Sequence, residues 1–579
     1  MRLALFGAAV AATGIGLSRG SQEWLIGGAL AFLAFFGAVI AHALVVQKRD
    51  RALTRQTIHE RHLLRIEGRT QGFPHGGELL ASDHSYASDL DVVGPGSLFE
   101  RITVTHTRRG AETLARWLGA PADRATVLLR QEAVRELAAD VDLRQELEAA
   151  VLDTGTDSLD ARPFLELAQR PPFVTSKPWL RALSFALPIA TIVLLVLSGR
   201  VLPTGIWLLP LAAQGILVWR TGHAIAERYA LLSSRRRFVE SFAAMLRVVE
   251  RTEWKAPLLR SLQESLRIEG KTPSEQLRGL ERWTSLFDLR TQGIVHVFVD
   301  LFLLWDLHCL AGVERWMQHA GQKCGTWFEV VGEIEALASL ATLLHGDAGV
   351  VMPEITEPGS PMIAQGIAHP LIPAERRVRN DLRIEGPGHA LVVTGSNMAG
   401  KSTLLRALGV DVALALAGGP VCATSFSTPP VRLRASMRIS DSVQSGASYF
   451  QAELTRLRTV IAGADEPPPL LFLLDELLRG TNARARHKGA RAVVKHLLAR
   501  GAMGLVATHD VALSDLDREM PGRVGNVHFT DVFENGEMTF DYRLRDGVVK
   551  TSNALRLLQQ AGIEVDADDA LTDAPPAAP

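Results

Sequence analysis

The chain has 579 residues, of which 47% are apolar, so it can bury several hydrophobic cores and is not expected to be disordered. Its 62 Lys and Arg residues balance 63 Asp and Glu residues, which excludes a protein whose whole surface grips nucleic acid; any DNA contact must come from local patches. Cys309, Cys324 and Cys422 are far apart and form no CxxC pair, which indicates neither a disulfide framework nor a zinc site.

Two apolar segments open the chain. Residues 24–46, WLIGGALAFLAFFGAVIAHALVV, carry no formal charge apart from a possible one on His42, and about 20 such residues span a bilayer. We interpret this segment as a transmembrane helix rather than a buried core helix, because globular helices rarely run this long without a polar face. Residues 3–17 follow Arg2 and are either the apolar part of a signal peptide or a first spanning helix; we favour a hairpin of the two segments.

A second apolar pair covers residues 183–197 and 201–219, separated by a three-residue turn. The turns within the two pairs hold only Arg19 and Arg200, whereas a group of basic residues follows each pair. These basic residues are Lys48, Arg49, Arg51 and Arg55 after the first pair, and Arg220, Arg228, Arg235, Arg236 and Arg237 after the second. The positive-inside rule therefore predicts a multi-pass protein of the cell (inner) membrane, held by four helices, with both long soluble segments in the cytoplasm.

A third apolar stretch, residues 294–304, is a weaker candidate for a span. Asp300 and Asp306 interrupt its neighbourhood, and a charged residue at a helix centre costs about 3 kcal/mol on insertion scales. The sequence therefore favours a core helix here over a fifth span.

The soluble segments between and after the hairpins show helical spacing. Leu114, Trp117 and Leu118 lie on one helical face, the pattern stops at Gly119 and resumes near Val127, and this predicts an all-helical bundle. Helical spacing continues over residues 224–344, with breaks near 270–273 and 321–325. The last residues, 565–579, are acidic and rich in Pro and Ala, which predicts a disordered tail.

A nucleotide-binding motif follows a short apolar run. Residues 389–394, HALVVT, predict a buried strand that leads into GSNMAGKS and a helical leucine pattern, which fits GxxxxGK[ST] between strand and helix. The loop needs glycine because its N–H groups must approach phosphate oxygens closely, Lys401 supplies charge to the β- and γ-phosphates, and Ser402 supplies a hydroxyl to Mg²⁺. The predicted nucleotide-binding residues are Gly395, Ser396, Asn397, Met398, Ala399, Gly400, Lys401, Ser402 and Thr403. The sequence therefore predicts a P-loop domain that binds and hydrolyses ATP, over residues 372–563.

Two later strands supply the remaining candidate groups. Residues 470–474 predict a buried strand that ends in Asp475 and Glu476, where a Walker B aspartate holds Mg²⁺ through water and the adjacent glutamate orients or deprotonates the attacking water. Taken alone, this acidic pair is equally compatible with a solvent-exposed turn. The P-loop upstream favours the catalytic interpretation. A third strand, residues 504–507, precedes His509, a candidate γ-phosphate sensor, although a lone histidine is more often structural.

These motifs together resemble the MutS family of mismatch-repair ATPases. TGSNMAGKST is similar to the family's TGPNMGGKST, with departures at Ser396 and Ala399; DSVQSGASYFQAE, residues 441–453, resembles a conserved family segment; DELLRGTN resembles DE-x-GRGTS, and ATHD completes the series. The segment T-x-x-GAETLARWL near residue 107 is similar to the start of the family's helical core domain.

The resemblance implies an α/β P-loop (ABC-type) ATPase domain at the carboxyl terminus and an all-α core and lever. Together with the two transmembrane hairpins that the apolar segments predict, this gives a multi-domain fold. The resemblance also implies a homodimer through the ATPase domains, with Ser448 in a signature loop that touches the partner subunit's nucleotide; from the residues alone, Gly446 and Ser448 are simply a helix cap. The expected boundaries are 1–46 first hairpin, 47–179 core, 180–219 second hairpin, 220–350 lever, 351–564 ATPase domain and 565–579 tail.

Mismatch-reading family members begin with a DNA-reading domain and a connector, and here the space before the core holds a membrane hairpin instead. One hypothesis is a membrane-anchored, dimeric ATPase that still engages DNA through a basic helical surface. The alternative is a membrane switch or scaffold whose ATP cycle acts on a protein or lipid partner. An ABC-type exporter is less favoured because no LSGGQ-like run is present.

Overall fold

The computed structural model describes residues 2–152, 160–234, 236–321, 323–396, 398–437, 449–534 and 537–548. Helices dominate up to residue 346, and mixed α/β sheets follow, so the chain is a multi-domain protein with a helical amino-terminal region. The predicted sites at Asn397 and Ser448 and the predicted tail lie outside the described residues.

The helices of the amino-terminal region are α1 (Arg2–Arg19), α2 (Gln22–Ile66), α3 (Leu98–Ile102), α4 (Arg108–Gly119), α5 (Arg124–Ala139), α6 (Val141–Leu152), α7 (Arg162–Gln169), α8 (Pro178–Leu197), α9 (Leu208–Ser234), α10 (Arg236–Arg251), α11 (Pro257–Ser265), α12 (Pro273–Phe287), α13 (Gly293–Leu303), α14 (Trp305–Trp316) and α15 (Gly325–Gly346). The later helices are α16 (Lys401–Ala417), α17 (Tyr449–Ala462), α18 (Ala483–Ala499) and α19 (Leu516–Glu519). The strands are β1 (Glu354–Ile355), β2 (Met362–Ile367), β3 (Asn380–Ile384), β4 (Ala390–Thr394), β5 (Ser425–Thr428), β6 (Arg432–Ser436), β7 (Leu470–Asp475), β8 (Met503–Ala507), β9 (Val524–Glu534) and β10 (Glu537–Asp546).

The first two helices pack together as a hairpin. They approach most closely at two glycines: a Cβ atom on Gly28 would lie 2.3 Å from the Thr13 hydroxyl oxygen, and one on Gly16 would lie 2.9 Å from the Leu25 backbone nitrogen. The outward face of α2 leaves Leu30, Leu33, Phe36 and other apolar side chains exposed. The helix then continues without a break into a polar half that ends at Ile66.

The second apolar pair differs in part from the prediction. The first arm, α8, covers the predicted segment, but the second arm does not begin at residue 201: residues 201–207 form turns, and α9 starts at Leu208. Pro203 lacks a backbone N–H, and Gly205 has a φ of +92°, so both favour a turn over a helix start at this point. The arms are joined by polar groups, because the Thr191 hydroxyl donates to Gln214 Oε1 at 3.1 Å.

The expectation that residues 294–304 form a buried core helix is wrong. Five large apolar residues of α13 are exposed, and Ile294 is 78% exposed. The acidic residues instead lie at a sharp bend: the axes of α13 and α14 differ by 82°, and Leu304 between them has a φ of +50°. Asp306 is buried, pairs with Arg290 at 2.6 Å, and donates its N–H to Asp300 at 2.9 Å. Both carboxylates therefore have hydrogen-bond or ion-pair partners within the protein, so their charge does not require α13 to be buried in the core.

Among the residues that the structure describes, Gln22–Ile66 and Pro178–Leu197 are by length and composition long and apolar enough to cross a membrane, and the bent pair α13–α14 is a third candidate if it counts as one span. The apolar helix Leu3–Arg19 at the start of the chain is shorter than these candidates. The predicted boundaries at residues 46, 179 and 219 fall inside α2, α8 and α9, so they mark changes of composition along continuous helices.

The predicted helical bundle is present and is organised around α15, most of whose residues are buried. The carboxylate of Glu335 on this helix accepts hydrogen bonds from the N–H groups of His106 at 2.8 Å and Thr107 at 3.2 Å, and so holds the start of α4. The predicted stop at Gly119 and the resumption before Val127 are confirmed by the bounds of α4 and α5. Both predicted later breaks are confirmed between α11 and α12 and before α15.

The described strands form a four-stranded sheet in the order β1-β5-β2-β3 and a six-stranded sheet in the order β10-β9-β4-β8-β7-β6. In the larger sheet β6, β7, β8, β4 and β9 run parallel, and β10 is antiparallel to β9. The three strands that the sequence predicts at residues 389–394, 470–474 and 504–507 are confirmed as β4, β7 and β8. Since β8 lies between β4 and β7, the loops after all three strands meet at one edge of the sheet.

Candidate functional site

The predicted P-loop connects β4 to α16. Gly395 has a φ of +142°, and a Cβ atom on it would lie 2.8 Å from the carbonyl oxygen of Phe529, so a larger residue does not fit. Gly400 has a φ of +109°, a conformation open to glycine. Met398 has a φ of +80° although it is not glycine, and its side chain is 82% exposed. The loop backbone is thus bent tightly at both ends and holds one residue under strain.

Lys401 begins α16 and folds back over this loop. Its ammonium donates to the carbonyl oxygens of Gly395 at 2.7 Å and Ser396 at 2.8 Å, and its side chain is buried. Burial lowers the pKa of Lys401, while the nearby carboxylates of Glu476 and Asp475 oppose that shift. A cation held by two neutral carbonyls at a loop of backbone N–H groups is well placed to exchange those carbonyls for phosphate oxygens.

The next residue of α16 meets the end of β7. The Ser402 hydroxyl donates to Asp475 Oδ2 at 2.5 Å. Within the described part of the chain, Asp475 Oδ1 is buried and has no hydrogen-bond partner. Burial raises the pKa of Asp475, as does the neighbouring charge of Glu476. Mg²⁺ prefers oxygen ligands, and this pair offers a hydroxyl oxygen and a buried carboxylate of which one oxygen has no hydrogen-bond partner among the described residues. The pair therefore fits that ion.

Glu476 follows in a strained conformation with a φ of +49°, and its side chain is buried. Its N–H donates to the carbonyl oxygen of Ala507 at the end of β8, at 2.9 Å. Its carboxylate forms an ion pair with Arg479 and lies 3.5 Å from Nδ1 of His509. The two side chains predicted to act on water and on the γ-phosphate therefore lie side by side, as the parallel order of β7 and β8 requires.

Glu453 on α17 is a positioning residue that the sequence prediction left without a role. Its buried carboxylate accepts hydrogen bonds from the backbone N–H groups of Leu478 and, at 3.3 Å, Arg479. Leu478 also has a positive φ, of +61°. The bent segment after β7 is therefore held from outside by one acidic side chain. The signal was present in the sequence, since Glu453 closes the segment of residues 441–453 compared with the family.

Two further residues at the loop were missed. The Ser396 hydroxyl donates to Asp531 Oδ1 at 2.5 Å, and so ties the P-loop to β9. Tyr542 on β10 has a φ of +55°, and its ring carbon lies 3.3 Å from the position of a Cβ atom built on Gly400. The pairing of β10 with β9 is irregular between Phe540 and Leu544, and Asn380 holds this stretch by donating to the Tyr542 carbonyl at 3.0 Å. No local pattern in the sequence indicates these contacts, because each joins segments more than 100 residues apart.

The structure thus brings together Lys401, Ser402, Asp475, Glu476 and His509 at one edge of the sheet. Ala399 is buried in the loop, whereas Thr403 is exposed on the first turn of α16. The chemical roles assigned to these residues stay predictions.

Known proteins match the part of the chain that carries this site. A protein-family profile described as MutS domain V matches residues 391–569. The DNA mismatch repair protein MutS of Chlorobium phaeovibrioides (strain DSM 265 / 1930) is 34% identical over 241 residues, which are 40% of this chain and 27% of that protein. The DNA mismatch repair protein MutS of Lactococcus lactis subsp. cremoris (strain MG1363) is 30% identical over 241 residues, which are 41% of this chain and 28% of that protein.

The profile spans the loop between β4 and α16 and the strand ends that carry Asp475, Glu476 and His509. The match with the two relatives covers little more than a quarter of their length, and it concerns the carboxyl-terminal region of this chain. Residues 391–569 of this chain are therefore a domain of the MutS domain V type.

Proposed function

We propose that this protein is a membrane-anchored, Mg²⁺-dependent ATPase that works as a homodimer. The observation that carries the ATPase part is the contact between the Ser402 hydroxyl and Asp475, with Lys401 and Glu476 beside it. These groups come from two separate stretches of chain, and their meeting at one sheet edge is what ATP and Mg²⁺ require.

In this proposal the P-loop N–H groups and Lys401 hold the β- and γ-phosphates of ATP. Ser402 and Asp475 would hold Mg²⁺, which when bound draws charge from the phosphate oxygens. Glu476 accepts a proton from water as the water oxygen bonds to the γ-phosphorus, and the bond from that phosphorus to the bridging oxygen of ADP breaks. His509 lies next to Glu476 and is placed to donate a hydrogen bond to the phosphate that leaves.

Arg479 sets a condition on this step. Its ion pair with Glu476 occupies the carboxylate that must face water, and the arginine side chain is half exposed. Rotation of Arg479 away from Glu476 would free the carboxylate and bring a positive charge to the developing phosphate. The loop that carries both residues is held at Leu478 by Glu453, so this rotation requires no movement of the strand.

The homodimer part of the proposal rests on the family resemblance and on Ser448. If Ser448 touches the nucleotide of the partner subunit, a mixture of Ser448→Arg and Lys401→Ala subunits regains some hydrolysis, because one composite site in each mixed dimer is intact. The measurement is ATP hydrolysis by mixed dimers purified through two different tags. No rescue in verified mixed dimers would show that Ser448 does not act across the interface.

The membrane part rests on the exposed apolar helices. The most apolar 18-residue window of α2 has none of its residues buried, and that of α8 has 22% buried. Water would meet these faces directly, whereas a bilayer covers them. Basic residues follow both hairpins, which supports an inner-membrane, multi-pass arrangement with the bundle and the ATPase domain in the cytoplasm.

Two uses of ATP hydrolysis are compatible with this arrangement. Coupling to DNA is supported by the match to proteins named for DNA mismatch repair. A membrane switch that acts on a protein or lipid partner is supported by the exposed apolar faces of α8 and α13, which lie within the helical part of the chain.

The experiment that separates the two is steady-state ATP hydrolysis by the detergent-solubilised protein, with and without homoduplex, mismatched and branched DNA. The Glu476→Gln variant provides the blank. Stimulation by DNA that weakens with added salt supports the DNA-coupled function. Hydrolysis that is indifferent to all three DNAs supports the membrane switch, and no hydrolysis above the blank contradicts the proposal as a whole.

A further inference from the structure

The short helix α13 is apolar on its exposed face and ionisable on its buried face. Its apolar side chains point outward, with exposed fractions of 78% for Ile294, 60% for Val297 and 59% for Phe298. Its two ionisable residues stand at i and i+4 and share the other face, where Asp300 is 6% exposed and the His296 side chain is 14% exposed. A helix that faces water has the opposite arrangement, with its apolar side chains inside. The medium outside α13 is therefore expected to be apolar.

The ionisable face of α13 is completed by the chain on either side of the helix. Asp306 Oδ1 lies 3.0 Å from Nε2 of His296, and Asp306 Oδ2 pairs with Arg290 at 2.6 Å. The Asp300 carboxylate accepts a hydrogen bond from the Asp306 N–H at 2.9 Å. Ionisable groups at the depth of a membrane turn towards protein and pair with one another, and these four side chains do so.

The backbone at the bend between α13 and α14 is also covered by protein. Leu304, whose left-handed conformation breaks the helix, is 0% exposed and donates its N–H to the Asp300 carbonyl oxygen at 2.8 Å. The Phe302 carbonyl oxygen, in the last turn of α13, accepts a hydrogen bond from the side chain of Gln214 on α9 at 3.3 Å. Gln214 is itself 0% exposed. Hydrocarbon tolerates a broken helix where the freed polar groups bond within the protein, as they do at this bend.

The bent pair α13–α14 packs on both arms of the second hairpin, α8 and α9, and begins and ends at the open end of that hairpin. Before α13, Asp288 accepts a hydrogen bond at 3.0 Å from the hydroxyl of Tyr229, near the carboxyl end of α9. In α14, Glu314 accepts hydrogen bonds from the N–H groups of Phe173 at 2.6 Å and Thr175 at 2.8 Å, just before α8 begins. The chain therefore approaches and leaves the hairpin on the side opposite its turn.

The bend itself lies farther along the hairpin, towards its turn. Gln214, which contacts the bend, and Tyr229, which contacts the approach, lie on one helix about 22 Å apart at 1.5 Å per residue. The 11 residues of α13 extend over about 16 Å, which is half of the roughly 30 Å hydrocarbon core of a bilayer. This helix is long enough to reach the middle of a membrane and too short to cross it.

We propose that α13 and the bend after it form a re-entrant membrane element, which enters the cytoplasmic half of the bilayer beside the second hairpin and returns on the same side. The partner of its exposed face is lipid hydrocarbon, because α13 packs beside α8, whose exposed side chains Phe185, Ile189 and Ile192 are apolar as well. This inference rests on the membrane part of the proposed function. It adds a contact with the bilayer inside the segment predicted as the lever.

The test measures the fluorescence of a nitrobenzoxadiazole label on cysteines introduced into the full-length protein, reconstituted in vesicles of phosphatidylethanolamine and phosphatidylglycerol. Phe298→Cys reports on α13, Val196→Cys on the exposed face of α8, and Leu129→Cys on an exposed position of the helical bundle. The parent is the blank, because its own three cysteines are buried. The two quenchers are a nitroxide on the lipid acyl chains and iodide in the water. Val297→Cys, also on the exposed face, replaces Phe298→Cys if that variant does not fold.

We expect the lipid nitroxide to remove the same fraction of fluorescence from Phe298→Cys as from Val196→Cys, while iodide quenches neither. Leu129→Cys should show the reverse, with quenching by iodide alone. Depth gives a second readout on Ile294→Cys and Leu303→Cys, which lie about 14 Å apart along the helix. A nitroxide near the end of the acyl chain should quench the label at Leu303 more strongly, and one near the headgroup should quench the label at Ile294 more strongly.

Each contrary result has a separate meaning. Lipid quenching of Val196→Cys without lipid quenching of Phe298→Cys would overturn the re-entrant element and leave the membrane part of the proposed function standing. In that case, iodide quenching of Phe298→Cys would indicate a face in water, and no quenching a face covered by protein, such as a second copy of the chain. A reversed order of depth between Ile294 and Leu303 would also contradict the proposal. Lipid quenching at neither Val196→Cys nor Phe298→Cys would overturn the membrane part itself.

Discussion

Helix α16 and the first half of α2 have similar apolar sequences and opposite surroundings. Almost every residue from Leu404 to Ala417 is buried, because α16 lies between the strands β7 and β8 and the helices α4 and α5. The apolar part of α2 packs on one side only, against α1, and its outer face is exposed. Composition alone therefore does not tell a core helix from a membrane helix. What distinguishes them is whether the rest of the chain supplies a cover.

The same contrast explains where a polar side chain is tolerated. Asp411 lies in the middle of α16, fully buried, and its Oδ1 accepts a hydrogen bond from the Cys422 N–H at 2.8 Å. The apolar half of α2 holds no Asp, Glu, Lys or Arg between Trp24 and Val46, and its one titratable residue there is His42. A helix with protein on every side can satisfy a polar group locally, whereas a helix that faces lipid cannot.

The largest expected effect separates the ATPase half from the membrane half. Glu476→Gln should lower the rate of ATP hydrolysis by about 10²–10⁴-fold, because it removes the proton acceptor, and should leave membrane association unchanged. Hydrolysis and membrane fractionation are measured on the same samples. Glu357→Gln, an exposed glutamate outside the site, is the matched control. Equal hydrolysis in Glu476→Gln and the parent would remove Glu476 as the base.

The same substitution placed in each helix tests the comparison itself. Leu33→Arg, at a position 68% exposed on α2, should weaken membrane insertion by about 3 kcal/mol and leave the ATPase domain folded. Leu414→Arg, at a position 0% exposed on α16, should unfold the ATPase domain, because it buries an unpaired charge. Membrane fractionation and protease resistance distinguish the two outcomes. If Leu33→Arg unfolded the ATPase domain, the apolar face of α2 would be a protein contact instead.

A smaller effect is expected from the residue that holds the loop after β7. Glu453→Gln should lower kcat by about 10- to 100-fold, since a lost hydrogen bond to a buried charged group is worth about 1.5–3 kcal/mol. ATP binding should change little, because the hydrogen bonds that Glu453 makes to described residues reach the backbone of Leu478 and Arg479 and not the P-loop. The readout is therefore the split between kcat and KM. A change in KM alone would show that Glu453 supports nucleotide binding rather than the position of Glu476.

The last prediction concerns pH, and a change of one pH unit should have a smaller effect than any of these substitutions. Burial raises the pKa of Asp411 to about 8, above its ordinary value of 3.8. The folded protein therefore holds a proton that the unfolded chain releases, so the free energy of unfolding should fall as pH rises from about 4 to about 8, by about 1 kcal/mol per pH unit at most. Asp411→Asn should remove this slope in urea unfolding of the detergent-solubilised protein, and the exposed Asp83→Asn should not. An unchanged slope in Asp411→Asn would place the titrating group elsewhere.

The nucleotide site was largely predictable because its chemistry dictates local sequence. Gly395, Lys401 and Ser402 lie within one loop and the start of the helix after it. Asp475 and Glu476 directly follow a run of apolar residues that predicts a buried strand. The contacts of Asp531, Tyr542 and Glu453 were not predictable, because the register of β9 and β10 and the position of α17 bring them to the site. The fold that surrounds a motif is set by long-range packing that no local pattern carries.

Among the apolar segments the sequence was less reliable for the same reason. Length and composition predict the first hairpin. For α13, the charges of Asp300 and Asp306 favour a core helix over a membrane span, and that prediction is wrong. The Asp300 carboxylate accepts a hydrogen bond from the Asp306 N–H, and the Asp306 carboxylate lies beside Arg290 and His296, at a bend of the chain. A rule about the average cost of a charge in a helix does not apply where the fold supplies a partner.

The central claim is that one chain joins a working ATPase site to helices held in a membrane. Its most direct test is Mg²⁺-dependent ATP hydrolysis in membranes washed with high salt, compared between the parent and Glu476→Gln. The account predicts that hydrolysis stays with the membrane pellet of the parent and is lost in the pellet of the variant. Hydrolysis released into the supernatant, or equal hydrolysis in the two pellets, would contradict it.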